Sequence, residues 1–237
     1  MATTTHTVTT PDGPMVLTVD GPDGGARRGI VLIQEAFGVN HYIEDVAGRL
    51  AEAGYLTAAP HLFHRTGDTV VGYTEYDKLA PHMQALNEQS LLDDVDAAMA
   101  WLAGKGIEAQ STGIVGFCMG GTVAFLTAVR RPVGAAVTFY GGGVGQGRFG
   151  LPPLIELAPD LGAPWLGLYG DEDKGIPVED VEALRAAAKH AGVPTEVVRY
   201  GDAGHGFHCH ARPDYNEGAA TDAWSRALTW FDTYLPG

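Results

Sequence analysis

The chain has 237 residues, 45% of them hydrophobic, and a formal net charge of −14 at pH 7. This length fits a single domain over 1–237 with a large core. The acidic balance argues against a nucleic-acid surface, which needs clustered Lys and Arg. The chain contains no run of eighteen apolar residues, so we predict no membrane span. The first ten residues lack the pattern of a signal peptide. The two cysteines lie far apart and predict no disulfide framework, so we expect a cytoplasmic protein.

Hydrophobic periodicity predicts alternating strands and helices from residue 29 onward. The predicted strands are Thr5–Thr10, Pro14–Val19, Gly29–Gln34, Tyr55–Ala59, Gly113–Phe117, Gly134–Tyr140, Pro164–Tyr169 and Thr195–Tyr200. The predicted helices are one that follows the N-cap Asn40 and stops at Gly54, one that follows Cys118, and those over Ser90–Leu102, Val178–His190 and Asn216–Leu235. This alternation indicates a mainly parallel central sheet with helices on both faces.

Residues 60–88 have weak periodicity and many polar and aromatic side chains, among them Tyr73 and Tyr76. They predict a loop or small cap over a site. A surface excursion with one short helix is the alternative.

The segment around Cys118 indicates a nucleophile. Gly116 and Gly120 flank this cysteine two residues to either side, between an apolar strand and a helix. A very tight strand-to-helix turn strains the central residue and leaves room only for glycine at those two positions. The helix N-terminus then favours a thiolate at Cys118. Alternatively, Cys118 is a small buried hydrophobic residue between packing glycines.

Reactive side chains follow four of the predicted strands, and the carboxyl ends of parallel strands form the sites of such sheets. These side chains are Glu35, Cys118, the pair Asp171 and Asp173, and His205. The chain order nucleophile, acid, histidine is that of the α/β-hydrolase fold, which we predict here. A thiol needs an imidazole to take its proton, and the imidazole needs a carboxylate to orient it.

Four motifs in this order resemble the dienelactone hydrolase (carboxymethylenebutenolidase) family, and the resemblance covers nearly the whole chain. They are QEAFGVN at 34–40, GFCMGG at 116–121, GDEDKGIP at 170–177 and AGHGF at 203–207. The resemblance implies a hydrolase of small esters or lactones that needs no cofactor or metal. We expect a small-molecule substrate, no nucleic-acid or membrane partner, and a monomer or homodimer.

The resemblance also implies roles for individual residues. Cys118 would be the nucleophile, His205 the base and Asp173 the acid, with Asp171 as the second candidate for the acid. Glu35 would exchange a proton with the resting thiol, and the backbone N–H groups of Ala36 and Met119 would form the oxyanion hole. As a carboxylate beside the thiol, Glu35 should also suppress the thiolate at rest. The expected substrate-lining residues are Phe37, Tyr76, Tyr140, Phe207, Arg65 and Arg212.

The chain departs from the family at the two arginines that hold a substrate carboxylate. Cys209 stands at one of these positions, four residues after His205, and residues 66–100 contain no arginine. Arg65 or Arg212 could substitute. The class of hydrolase is therefore better supported than dienelactone as the substrate.

Three other functions compete with this interpretation. A metal-dependent hydrolase could use the histidine-rich stretch His205–His210, because zinc binds His and Cys. A class I glutamine amidotransferase also uses a Gly-flanked Cys, but it needs an acid two residues after the histidine, where this chain has Phe207. A non-catalytic binding protein on a hydrolase fold is the third, and a complete triad argues against it. The phosphate-loop motif is absent, so no nucleotide is implied.

Overall fold

The computed structural model describes residues 3–237. Eight strands form one sheet in the order β1-β2-β4-β3-β5-β6-β7-β8. The strands are β1 Thr4–Thr10, β2 Gly13–Asp20, β3 Gly29–Ile33, β4 Leu56–Pro60, β5 Thr112–Phe117, β6 Ala135–Phe139, β7 Trp165–Gly170 and β8 Thr195–Tyr200. Strands β3 to β8 are parallel, whereas β2 is antiparallel to both β1 and β4. The prediction of a mainly parallel sheet is confirmed.

Helices cover both faces of the sheet, as expected for parallel strands. They are α1 His41–Glu52, α2 Ala80–Gln84, α3 Glu88–Ala103, α4 Met119–Arg130, α5 Leu154–Leu157, α6 Val178–Ala188 and α7 Glu217–Tyr234. A side chain at Gly113 would meet Phe231 of α7, and one at Gly116 would meet the start of α4. Since these two positions lie on opposite faces of β5, α4 and α7 lie on opposite sides of the sheet. The predicted α/β-hydrolase fold is thus confirmed.

The short elements are where the sequence prediction and the structure differ. Helix α5 was not predicted, and α2 was anticipated only as the unplaced short helix of the alternative for residues 60–88, because four or five residues are too few for a helical period to be visible. Helix α3 begins at Glu88, two residues before the predicted start. Its capping box explains this start: the Asn87 side chain accepts from the Ser90 N–H, and the Ser90 hydroxyl accepts from the Asn87 N–H, both at 3.0 Å.

Residues 60–88 run over the carboxyl ends of the strands near Phe37. The Val71 N–H donates to the Phe37 carbonyl at 3.0 Å, and the Tyr73 ring lies 4.7 Å from the Phe37 ring. Arg65 anchors the segment to α3 through hydrogen bonds of 2.7 and 2.9 Å to the buried carboxylate of Asp94. The segment therefore forms one wall beside the residues that follow β3.

Candidate active site

Cys118 occupies a strained turn between β5 and α4. Its φ of +55° is unusual for a residue other than glycine and is a conformation found at functional sites. A Cβ at Gly116 would overlap the carbonyl oxygen of Gly120, and one at Gly120 would lie 2.5 Å from the Gln34 and Ile33 carbonyl oxygens. Only glycine fits at these two positions, as the spacing around Cys118 predicts.

A continuous chain of hydrogen bonds connects Cys118 with His205 and Asp173. The His205 Nε2 lies 3.0 Å from the Cys118 Sγ, and its Nδ1 lies 2.6 Å from the Asp173 Oδ2. The other oxygen of Asp173 accepts from the Gly175 N–H at 2.8 Å, so both carboxylate oxygens are engaged. The carboxylate is buried, whereas the imidazole side chain is 28% exposed. This arrangement can hold an imidazole in one orientation beside a thiol.

Asp171 has a different partner. Both of its oxygens accept from Arg199 of β8 at 2.7 Å, one from Nε and one from Nη2. Its carboxylate is thus directed to the neighbouring strand, and Asp173 is the carboxylate that faces His205.

The pKa values of Cys118 and His205 shift in the directions that favour an ion pair between the two side chains. Burial raises the pKa of the Cys118 thiol, but the charge and hydrogen bond of His205 outweigh burial and lower it overall. Burial lowers the pKa of His205, but Cys118 and Asp173 reverse this effect and raise it to about 10. Both shifts favour the thiolate and imidazolium form of the pair, a form that the N-terminus of α4 also favours.

Glu35 lies fully buried at the end of β3. Its Oε1 accepts from the Arg212 Nη1 at 3.3 Å, whereas its Oε2 has no hydrogen-bond partner within residues 3–237. Burial raises the pKa of this carboxyl despite the neighbouring guanidinium. The preceding Gln34 fixes the strand end, because its side chain accepts from the Leu62 N–H at 3.1 Å and donates to the Glu35 carbonyl at 3.3 Å.

The hydrogen-bond partner of the Cys118 thiol is His205 rather than Glu35. This differs from the proton exchange with Glu35 that the family resemblance implies. The effect of Glu35 on the pKa of the thiol is upward, as its negative charge requires, but it is smaller than the downward effect of His205. The direction of the Glu35 effect is thus the one expected from the sequence, whereas His205 determines the net direction of the shift.

Two backbone N–H groups in the turns that follow β5 and β3 were predicted to form the oxyanion hole. Met119 is the first residue of α4, where an N–H has no partner inside the helix. Ala36 lies in the turn after β3, and its N–H donates to no acceptor within the described part of the chain. Both groups are free to donate to an oxygen.

The predicted aromatic residues form two groups: Phe37 with Tyr76, and Tyr140 with Phe207. The ring of Phe37 lies 5.8 Å from that of Tyr76, which is 59% exposed at the rim. Tyr140 lies 5.2 Å from His205, has a φ of +39°, and carries a buried hydroxyl that lacks a partner among the described residues. Phe207 is fully buried and lies 5.2 Å behind Tyr140. It packs against Tyr140, and its side chain has no exposed surface.

The two predicted arginines have different positions. Arg212 reaches the site through Glu35, and Gly206 provides the space for its guanidinium, since a Cβ there would lie 2.7 Å from the Arg212 Cζ. Arg65 donates instead to Asp12 at 2.6 Å and to Asp94, and these two carboxylates occupy its guanidinium. Those contacts anchor residues 60–88 to the fold.

Sequence reasoning missed Arg148, in the glycine-rich loop after β6. It lines a cleft with His205 and Asp173, and its charge is among those that lower the pKa of Cys118, after the larger effect of His205. Its position in a loop beyond the carboxyl end of a central strand was the available signal.

The histidine-rich stretch does not converge on one point. His205 contacts Cys118, whereas His208 Nδ1 lies 2.7 Å from the Tyr42 hydroxyl and Cys209 Sγ lies 3.2 Å from the Tyr73 hydroxyl. Burial lowers the pKa of His208 to about 3. Within residues 3–237, no three or more His, Cys, Asp or Glu side chains are grouped to hold a metal ion. The alternative metal site at these residues is not formed.

Comparison with known proteins agrees with this fold. A model of the dienelactone hydrolase family matches residues 16–235. A protein from Salmonella typhimurium named "putative carboxymethylenebutenolidase" is 40% identical over 213 residues, which are 89% of this chain and 78% of that protein. A carboxymethylenebutenolidase from Rhodococcus opacus is 30% identical over 217 residues, covering 90% and 84% of the two chains.

A solved structure is also similar. The crystal structure of a putative dienelactone hydrolase from Klebsiella pneumoniae has a TM-score of 0.87 and 35% identity, covering 99% of this chain and 100% of that chain. Over residues 3–237, no helix has the length and apolar character needed to cross a membrane. The chain belongs to the dienelactone hydrolase family, and it is a carboxylic ester hydrolase with the α/β-hydrolase fold.

Proposed function

We propose that this enzyme hydrolyses a small ester or lactone through a triad of Cys118, His205 and Asp173. The observation that supports it most is the pair of hydrogen bonds on either side of His205, 3.0 Å to the thiol and 2.6 Å to the carboxylate. The strained backbone of Cys118 supports the same role, because such strain is retained where a nucleophile must be presented.

In the first half of the reaction, the Cys118 thiolate attacks the carbonyl carbon of the substrate. The carbonyl oxygen takes the negative charge and accepts hydrogen bonds from the Ala36 and Met119 N–H groups. Each such donor contributes about 3–4 kcal/mol in related acyl-transfer enzymes. The C–O bond to the leaving group then breaks, and its oxygen takes the proton from His205 Nε2, which leaves a thioester on Cys118.

In the second half, neutral His205 removes a proton from water, and the resulting hydroxide attacks the thioester. Collapse of this second tetrahedral intermediate breaks the C–S bond and releases the acid. The thiolate and the imidazolium are restored, so protons and electrons balance over the cycle. Asp173 keeps the imidazole in the orientation that both halves require. For a lactone, the leaving oxygen stays attached to the acid product.

Glu35 adjusts the charge at the site in this proposal. Its carboxylate opposes the thiolate, and Arg212 partly neutralises it across 3.3 Å. A substrate anion that paired with Arg212 would change this balance. Phe37, Tyr76 and Tyr140 form the apolar surroundings of the acyl group. The two cysteines are both free, and Cys118 must stay reduced to act, which fits a reducing compartment such as the cytoplasm.

The test is an assay of p-nitrophenyl acetate and a dienelactone, with and without EDTA. Wild type should hydrolyse at least one ester whether or not EDTA is present, and Cys118→Ala should lose at least about a hundredfold in kcat/KM. Cys209→Ala is the matched control. This second cysteine is buried against Tyr73, and the variant enzyme should remain active. Activity that survives in Cys118→Ala, or that EDTA abolishes, would overturn the proposed triad.

A further inference from the structure

A small pocket of about 70 Å³ lies between α1, the loop that carries His208 and the first turns of α7. It is lined by Arg49, His208, His210, Tyr215, Ala220 and Thr221. The residues of the proposed triad do not line it. A water molecule takes about 30 Å³ in the liquid, so this volume suits one ligand of a few heavy atoms.

Arg49 provides a positive charge at this pocket that has no acidic partner. No carboxylate oxygen of residues 3–237 lies within 4.0 Å of its guanidinium, whereas Arg212 and Arg199 each pair with a carboxylate. The Arg49 Cζ lies 4.1 Å from the centre of the Trp224 ring of α7. The guanidinium is thus held by an aromatic face and keeps its charge available to a ligand.

His208 has one ring nitrogen that is available to the pocket. The residue is 2% exposed, and its Nδ1 lies 2.7 Å from the Tyr42 hydroxyl. Its Nε2 has no hydrogen-bond partner among the described residues. Burial, followed by the charges of Arg49 and His210, lowers the pKa of His208 to about 3, so this imidazole is neutral at pH 7. When the Tyr42 hydroxyl donates to Nδ1, Nε2 carries the proton and can donate it to a ligand.

The rest of the lining is also able to donate hydrogen bonds. His210, Tyr215 and Thr221 each carry a side-chain donor. Ala220 and Thr221 lie close to the N-terminus of α7, where the helix dipole favours negative charge.

No acidic side chain lines this pocket, although the chain has a net charge of −14. Glu217 in the first turn of α7 is exposed and does not line it. Four other carboxylates share a separate groove with Arg49 and do not line the pocket either: Asp20, Glu44, Asp45 and Glu52. The charge of Arg49 and the set of donors therefore favour an anion over a cation.

We propose that the pocket formed by Arg49, His208 and His210 beside the N-terminus of α7 binds a small oxyanion of the phosphate type. A planar guanidinium can donate two parallel hydrogen bonds to two oxygens of such an anion, and the imidazole N–H and hydroxyl groups can donate to the others. Because His205 and His208 belong to the same loop, a bound anion would fasten that loop to α1 and α7. The inference goes beyond ester hydrolysis and does not depend on the proposed triad.

Inorganic phosphate is the probe, added to the full chain at an ionic strength kept constant with chloride. Wild type should show a saturable change in tryptophan fluorescence, because Trp224 stacks on Arg49, with an apparent Kd of about 1 mM or below. Its Tm should rise over the same range of phosphate concentration. Arg49→Gln should weaken binding about tenfold or more, and His210→Gln, at an exposed position, about threefold. Since Arg49→Gln also removes the contact with Trp224, the rise in Tm with phosphate is the readout for that variant.

Two further variants locate the anion. Arg27→Gln is the charge-matched control, because Arg27 is exposed before the start of β3, and it should bind phosphate as wild type does. Arg148→Gln removes a positive charge that lines the cleft beside His205, and it should also keep the wild-type affinity. Wild-type affinity in Arg49→Gln or in His210→Gln would overturn the proposal, and a loss confined to Arg148→Gln would place the anion beside His205 instead. No saturable change in wild type up to about 10 mM phosphate would also overturn it, while ester hydrolysis, measured separately, would be unaffected.

Discussion

Arg199 of β8 donates two hydrogen bonds of 2.7 Å to Asp171 at the end of β7. Asp173, two residues later, instead accepts from His205 and from the Gly175 N–H. Two aspartates in one turn thus have different hydrogen-bond partners: Asp171 binds an arginine of the neighbouring strand, and Asp173 binds the imidazole.

Substitution by asparagine should reduce kcat strongly at Asp173 and only slightly at Asp171. Asp173→Asn should reduce kcat about a hundredfold or more, because an amide does not stabilise the imidazolium and can favour the wrong tautomer of His205. Asp171→Asn should change kcat less than about threefold and reduce the free energy of unfolding by about 1 kcal/mol or less, as for a partly exposed ion pair. Steady-state kinetics and urea unfolding of both variants make the comparison. The reverse pattern of activity loss would make Asp171 the acid.

His205 should control the reactivity of the thiol even without substrate. Because His205 lowers the pKa of Cys118, wild type should react with iodoacetamide at pH 7, and the rate should fall as acidification passes the lowered pKa. In His205→Gln, burial and Glu35 remain and both raise the pKa of the thiol, so alkylation at pH 7 should slow about tenfold or more. His190→Gln is the control, because His190 is an exposed histidine. Equal rates in wild type and His205→Gln would contradict the ion pair.

The proximity of Cys118 and His205 could be predicted because the signals for both residues are local. Glycines two residues either side of Cys118 are required by the turn itself, and His205 lies in the loop that follows β8. The choice between Asp171 and Asp173 was left to family resemblance, because it depends on Arg199, which lies 28 residues from Asp171 in sequence and beside it only in the folded sheet. Long-range packing of this kind leaves no periodic pattern.

The contacts of Arg148 and Arg65 could not be predicted from the sequence either. Arg148 lies in a glycine-rich loop without a motif, and its approach to His205 depends on how that loop folds over Gly142 and Gly143. Arg65 was predicted for the site from its place in residues 60–88, but the buried Asp94 of α3 holds it. The sequence locates a charge along the chain, and the partners that compete for it emerge only in the fold.

Glu35 should raise the pKa of the thiol through its charge. Glu35→Gln removes a carboxylate that raises the pKa of Cys118 and releases the positive charge of Arg212, and both effects favour the thiolate. The pH profile of alkylation by iodoacetamide should therefore move to lower pH relative to wild type. Glu156→Gln, on the exposed side of α5, should leave the profile in place. A shift to higher pH would show that Glu35 stabilises the thiolate and would reverse the role given to it here.

The glycines around Cys118 should be essential for folding as well as for the site. In Gly116→Ala the new methyl group overlaps the backbone of Gly120, and neither β5 nor α4 can move away without disturbing the centre of the sheet. We expect a loss of about 3 kcal/mol or more in the free energy of unfolding, which is about 6–12 °C in Tm for a chain of this size. Gly24→Ala is the matched control, because nothing lies within 4 Å of the added Cβ in that exposed turn. Thermal unfolding of the two variants gives the comparison, and an unchanged Tm in Gly116→Ala would mean that the turn at Cys118 can relax.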